Sequence, residues 1–498
     1  MLRAATRYLG AETELANRTF IENLEQRLVF SVLPAGFAQA IIATDIGPTT
    51  AVDALPDGRI LVASQAGVLH VVSGGKFLPT PALMLTVDSN GERGLIGVTN
   101  DPRFNTNHFI YVYHTVPATG SAAAFNEVSR FTLDGNVADP SSEVDILQLN
   151  NLSSATNHNG GAMHFGSDGY LYISVGENAD VDNSQTLSNL LGKVLRIDVS
   201  KIQPGDPIND VAKLIPPSNP FVGTAQGINQ AIYALGFRNP FTFAVNPVTG
   251  EIFIDDVGEN TWEEIDKLVP GGNYGWHLTE GFATKLPVTG LGPGVYQDPQ
   301  LAYNHHGGPA GGGNAIIGGL FYEPSAGATD PFPSTYTGKY FYADYGHSWM
   351  RVFNPADPGT LANPDTSSAF DTALKDNPTG MALAPDGTIY YAAQNDDGEL
   401  VQIFAINKTK ITAPPVARTV SVGDTATFTT SAIGTGTLTY RWQRNDGPGG
   451  AFVDIPHGTL SSYSLANAVL ADDGAKFRVE VFSHKTEAVS KAVALTVT

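Results

Sequence analysis

One short unit recurs through most of this chain: a turn containing Asp-Gly or an equivalent, followed by a strand of aromatic and β-branched residues. It reads Pro56-Asp57-Gly58-Arg59-Ile60-Leu61-Val62-Ala63, Ser167-Asp168-Gly169-Tyr170-Leu171-Tyr172-Ile173-Ser174, Val248-Thr249-Gly250-Glu251-Ile252-Phe253-Ile254-Asp255 and Pro385-Asp386-Gly387-Thr388-Ile389-Tyr390-Tyr391-Ala392. Asn105-Thr106-Asn107-His108 before Phe109-Ile110-Tyr111-Val112-Tyr113 is a copy without Gly, and Thr337-Gly338-Lys339 before Tyr340-Phe341-Tyr342-Ala343-Asp344 is a looser one. Asp-Gly and Asn favour turns that need positive φ, so each copy predicts a tight hairpin between two strands. Six unequally spaced hairpins predict an all-β chain built as a six-bladed β-propeller with long inserted loops. A β-sandwich would not need six.

The pattern stops near Gln402-Ile403-Phe404-Ala405-Ile406, and a linker with Pro414-Pro415 follows. Thr/Ser/Val-rich alternation then takes over, with Tyr440-Arg441-Trp442-Gln443 and Asp473-Gly474-Ala475-Lys476-Phe477. These features predict an immunoglobulin-like β-sandwich, with Trp442 in its core and Phe in place of the usual corner Tyr. The predicted domains are an N-terminal leader or extension at 1–40, the propeller at 41–408 and the sandwich at 411–498. Before the apolar run Leu28 to Thr44, which Pro34, Gly36 and Gln39 interrupt, lies Leu24-Glu25-Gln26-Arg27. That element resembles the short export leaders of some bacteria, and an amphipathic N-terminal helix is the alternative.

Charge narrows the partners. The formal net charge is −21, and from residue 410 onward 8 Lys and Arg offset 7 Asp and Glu, so the acidity lies wholly in the larger part. Without clustered Lys or Arg, nucleic acid is excluded as a partner of that part. The absence of Cys removes disulfides, thiolate metal sites and cysteine nucleophiles. No stretch reaches the ~20 apolar residues of a membrane helix. A thiol-free acidic chain suits an extracytoplasmic location, periplasmic or secreted.

Three constellations could carry chemistry. In Asn157-His158-Asn159-Gly160-Gly161, His158 occupies a Gly/Asn-rich turn just before a strand, where an imidazole can face a channel mouth and act as a base near neutral pH. His164, on the strand that follows, reads as structural. In Gly236-Phe237-Arg238-Asn239-Pro240, a cationic fork and an amide stand at a loop edge, suited to an anionic or quinonoid ligand. From Asp255 to Asp266 six carboxylates fall within twelve residues around Gly258, and hard oxygen ligands of this kind suit Ca²⁺. A solvated acidic loop is the other reading.

In combination with Glu92-Arg93-Gly94, Pro270-Gly271-Gly272-Asn273-Tyr274-Gly275-Trp276 and Gly318-Gly319, these motifs resemble the soluble quinoprotein glucose/sorbosone dehydrogenases, or aldose sugar dehydrogenases, over residues 40–405. The resemblance implies a propeller that binds pyrroloquinoline quinone (PQQ) and Ca²⁺ and oxidises the C1 hydroxyl of an aldose to a lactone, passing electrons to an external acceptor. It implies His158 as the base, Arg238 beside the quinone carbonyls, Glu92, Asn157 and Asn239 along the cofactor, and backbone carbonyls of Gly258 and Glu259 on the metal. Between Leu301 and Arg351 only Lys339 and Arg351 are full cations, and Ile317 stands where a Lys would pair a PQQ carboxylate, so weak PQQ affinity is expected. Two other functions fit the same sequence: a secreted propeller that binds a glycan or protein without turnover, and a calcium-dependent sugar lactonase. The C-terminal domain could itself contact a glycan or protein.

Overall fold

The computed structural model describes residues 32–498 apart from 308–311, 395–396, 407–408, 435–436, 448–449 and 484–485. The Leu24–Arg27 element lies outside the described residues. The rest is an all-β chain in two compact units, one made chiefly of residues 39–326 and 333–403, the other of 404–498 with 35–38 and 327–332.

The larger unit holds six successive sheets, built mainly of antiparallel pairs. Each predicted turn precedes the second strand of one sheet: Ile60–Ser64, Phe109–Val116, Leu171–Val175, Ile252–Asp256, Tyr340–Asp344 and Ile389–Gln394. The physical reason is visible in the backbone. Gly58, Gly169, Gly250, Gly338 and Gly387 have φ between 77° and 94°, and His108 takes φ 55° in the copy without Gly. A side chain is disfavoured in that region, so Gly is the default residue there.

The first strands, Thr49–Ala54, Leu95–Asn100, Met163–Phe165, Pro240–Val245, Ile316–Phe321 and Asn377–Leu383, lie against one another in cyclic order. Apolar residues fill the space between sheets, as where Phe253 meets Phe321, Tyr340 and Phe353. Phe37–Ala43 is a strand rather than a helix: it joins the last sheet beside Glu399–Ala405. There Gln39 is buried and accepts the Tyr391 hydroxyl at 3.1 Å.

In the smaller unit Thr439–Asn445 pairs with Lys476–Ser483, which pairs with Val493–Val497, which in turn runs parallel to Arg418–Val420. Trp442 is fully buried and donates Nε1–H to the Leu460 carbonyl at 2.9 Å. Phe428 stacks on Phe477 with ring centres 4.5 Å apart. Aromatic packing does here what a cystine would otherwise do.

Candidate active site

The turn at 156–161 is held on both sides. Arg93 is buried against Asp88 at 2.7 Å and donates to the Ser153 and Ala155 carbonyls, each at 2.8 Å, fixing the chain just before the turn. Its neighbour Glu92 accepts the His158 amide at 2.7 Å through Oε2, and the Asn239 side-chain amide at 3.3 Å on the same oxygen. Asn239 Oδ1 in turn accepts the Gly160 amide at 3.1 Å. His158 itself sits at φ 57°, a strained conformation for a residue with a side chain, and these bonds hold it there.

The His158 side chain is one-tenth exposed and its Nδ1 lies 2.6 Å from Glu177 Oε1. Glu177 is fully buried and its amide donates to the Arg238 carbonyl at 2.9 Å. One residue therefore ties the histidine turn to the Arg-Asn turn. With Nδ1–H donated to Glu177 the neutral ring keeps its lone pair on Nε2, which has no hydrogen-bond partner among the described residues. His164 is structural, as its strand position suggested: its ring stands edge-on to Phe243 at 4.9 Å, and burial pushes its pKa down to about 4.

Arg238 and Asn239 are aimed by Asp256. Its two oxygens accept their amides at 3.0 and 2.8 Å. Burial pushes the Asp256 carboxyl up to about 7, and those amides and the Arg238 charge pull the other way. The Arg238 guanidinium donates to the Val257 carbonyl at 3.0 Å and lies 5.6 Å from the centre of the Trp276 ring.

The acidic segment departs from its sequence reading. Asp255, Asp256, Glu263, Glu264 and Asp266 are strand residues, buried, and the first four take donors from the protein rather than facing an ion. Among the described residues no group of three or more His, Asp or Glu is arranged to hold a metal. Only Glu259 is exposed. The amides of Glu259, Asn260, Thr261 and Trp262 converge on Glu280 Oε1 at 2.7 to 3.4 Å. Burial works against ionisation of Glu280, yet those four donors outweigh it and hold the carboxyl below its ordinary range. With the amides turned to Glu280 and Glu263, the Gly258 and Glu259 carbonyls accept no hydrogen bond among the described residues. A hard cation suits two such carbonyls.

A cavity of about 640 Å³ opens beside these turns. Glu92, Asn239 and Val257 line one wall; Ile317, Tyr345, Asn377, Thr379 and Gln394 line another. Glu92 is the sole charged residue in the described lining. Arg351 is turned away to Ser367 at 2.6 Å and Asp365 at 3.5 Å. Asn239 is in the lining and Arg238, its neighbour in sequence, is not; the other polar lining side chains, Gln65, Tyr345, Asn377, Thr379 and Gln394, are neutral hydrogen-bonding groups that would offer PQQ carboxylates donors but no counter-charge. Asn157 contributes its carbonyl to the Asn178 amide at 3.4 Å, and no described hydrogen bond engages its side chain.

Glu177 was not legible as a site residue, although Val-Gly-Glu-Asn occurs twice, at 175–178 and 257–260, each time directly after or at the end of a second strand. The repeat marks two equivalent turns. At one the Glu is buried against His158; at the other it is exposed.

The sequence profile of the glucose/sorbosone dehydrogenase family matches residues 48–312, and the chain belongs to that family. HIPL2 protein of Arabidopsis thaliana is 36% identical over 52% of this chain and 39% of its own length, so the chain spans well under half of that relative. Aldose sugar dehydrogenase YliI of Escherichia coli strain K12 is 27% identical over 71% of this chain and 89% of its own length. The PQQ-bound aldose sugar dehydrogenase of Streptomyces coelicolor superimposes with a TM-score of 0.54 at 22% identity, covering 75% of this chain and 99% of that one, a likeness of fold.

Proposed function

We propose that this chain is a quinoprotein sugar dehydrogenase that oxidises the C1 hydroxyl of an aldose to a lactone, built as a six-bladed β-propeller with an immunoglobulin-like domain from about residue 411. The observation that carries the reading is the His158–Glu177 pair, whose turn is bonded through the His158 amide to Glu92 and so to Asn239, both of which line the cavity. His158 Nε2 takes the hydroxyl proton, and Glu177 fixes the tautomer and steadies the imidazolium that forms. Arg238 and Asn239 would hold PQQ by its quinone carbonyls, and the Gly258 and Glu259 carbonyls would hold Ca²⁺. PQQ, when bound, supplies the two-electron acceptor for the hydride leaving C1, and an external acceptor restores it. The six hairpins and the cyclic order of the first strands support the propeller. No helix among the described residues is long and apolar enough to cross a membrane, and an extracytoplasmic site of action accompanies the proposal.

One observation favours a second reading. A trianionic cofactor meets no cation in the described lining of the cavity, which suits a propeller that binds a glycan or protein without turnover. The deciding experiment incubates the chain with PQQ and Ca²⁺, measures bound PQQ by absorbance in equilibrium dialysis, and follows dye reduction with a panel of aldoses in the continued presence of both. Turnover that His158→Ala removes supports the dehydrogenase. Bound PQQ with no turnover on any aldose, or no PQQ retained at all, transfers the site to the binding role.

A further inference from the structure

A second cavity, of about 520 Å³, lies between the second and third sheets, away from the histidine turn. Phe109, Tyr111, Arg130 and Thr132 line it from two paired strands, and Ser200 and Gln203 from the loop opposite. Arg103 stands at its rim. The described lining contains two arginines and no Asp or Glu, in a chain with 49 acidic residues against 28 basic ones.

Four arginines are buried among the described residues: Arg93, Arg130, Arg196 and Arg351. Three have a carboxylate, Asp88 at 2.7 Å, Asp168 at 2.8 Å and Asp365 at 3.5 Å. Arg130 has none. It is 6% exposed, its guanidinium lies 4.3 Å from the centre of the Phe109 ring, one terminal nitrogen donates to the Ile202 carbonyl at 3.2 Å, and the Tyr111 hydroxyl is a further partner. A guanidinium carries five N–H donors in a fork shaped for oxyanions. Withdrawing that charge from water without a counter-charge is costly. Asp101 accepts the Tyr111 hydroxyl at 3.0 Å and pairs with Arg103 at 3.5 Å, Asp198 holds Ser200 and Lys201, and neither forms an ion pair with Arg130 among the described residues.

We propose that this cavity binds an oxyanion, gripped by the N–H groups of Arg130 that Ile202 and Tyr111 do not use, with Arg103 closing from the rim. The same chemistry can come from a free inorganic anion or from the carboxylate of an acidic sugar. Isothermal titration of the full chain with sulfate, phosphate and glucuronate, at constant ionic strength and with glucose as the neutral control, separates the sources. Binding of all three anions assigns a general oxyanion site, binding of glucuronate alone assigns an acidic saccharide, and glucose should bind here in neither case. Arg130→Met should weaken binding by about tenfold or more, the scale of a lost charge-assisted bidentate contact. Because Arg130→Met removes a buried side chain that the fold also uses, Arg103→Ala provides the second measurement: its side chain is two-thirds exposed, so it should keep the wild-type melting temperature and lose affinity several-fold. Absence of saturable binding for every anion, or affinity unchanged in both variants, overturns the proposal.

Discussion

At His158 the backbone and the ring serve different partners. The amide goes to Glu92 and Nδ1 to Glu177, so conformation and tautomer are set independently. His158→Ala should lower sugar oxidation by about 10²–10⁴-fold, the usual worth of a positioned base, with the melting temperature little changed. Steady-state dye reduction and a thermal melt on the same preparation check both halves. Glu177→Gln keeps the size and an acceptor oxygen but removes the charge opposite the imidazolium. It should lower kcat by about 10–100-fold with less effect on KM and little change in melting temperature, and a melting temperature that falls in step with activity would argue that the carboxylate only supports the fold. The His158 and Arg238–Asn239 turns were legible because turn residues before a strand are a local signal. Glu177 was not, because its meaning depends on a histidine nineteen residues away across a turn.

Two elements carry the site into place. Gly176 ends the strand Leu171–Val175, and a Cβ there would overlap the His158 carbonyl and press on Asn239 Oδ1. Gly176→Ala should therefore destabilise the chain by about 1–3 kcal/mol, the range of an overpacked contact, and denaturant midpoints measure it. The 258–262 loop depends on Glu280 in a comparable way. Removing that acceptor in Glu280→Ala leaves four amides to find water and should loosen the Gly258 and Glu259 carbonyls. If Ca²⁺ sits on those carbonyls, excess EDTA lowers the wild-type melting temperature and lowers that of Glu280→Ala by less. An EDTA-insensitive wild type would count against calcium there. The sequence suggested a cage of side-chain carboxylates in this region. Strand alternation and pairing took most of them into the interior instead, where Thr242, Tyr340 and backbone amides meet them.

Buried acids make the whole molecule sensitive to pH. Burial pushes Asp53 up to about 6, and Asp255 and Glu127 up to about 7. In the window from about 4 to 7 the folded chain therefore holds protons that the unfolded chain has released. Their stabilising contribution is full below the unfolded values and is lost as pH rises through the folded ones. Burial lowers His114 and His164 to about 4, so they oppose this trend below about 6.5 and drop out above it. Burial lowers Lys193 to about 7, so above that value it also opposes the acids; from pH 7 down to 6.5 the melting temperature should thus rise as pH falls, and Glu127→Gln should flatten the slope. A flat or inverted wild-type profile would contradict the assignment.

Six Asp-Gly or equivalent turns determined that the larger part would be repeated hairpins, because a positive-φ position is a property of one residue and its neighbours. The same local logic placed Trp442 and Phe477 in a separate β core. Several things were decided only by tertiary structure: that Phe37–Ala43 completes the last sheet, that Glu177 meets His158, that the carboxylates of 255–266 turn inward, and that Arg130 is buried without an acid. Each is a contact between residues distant in sequence, and its energy depends on burial and on partners that no local pattern specifies.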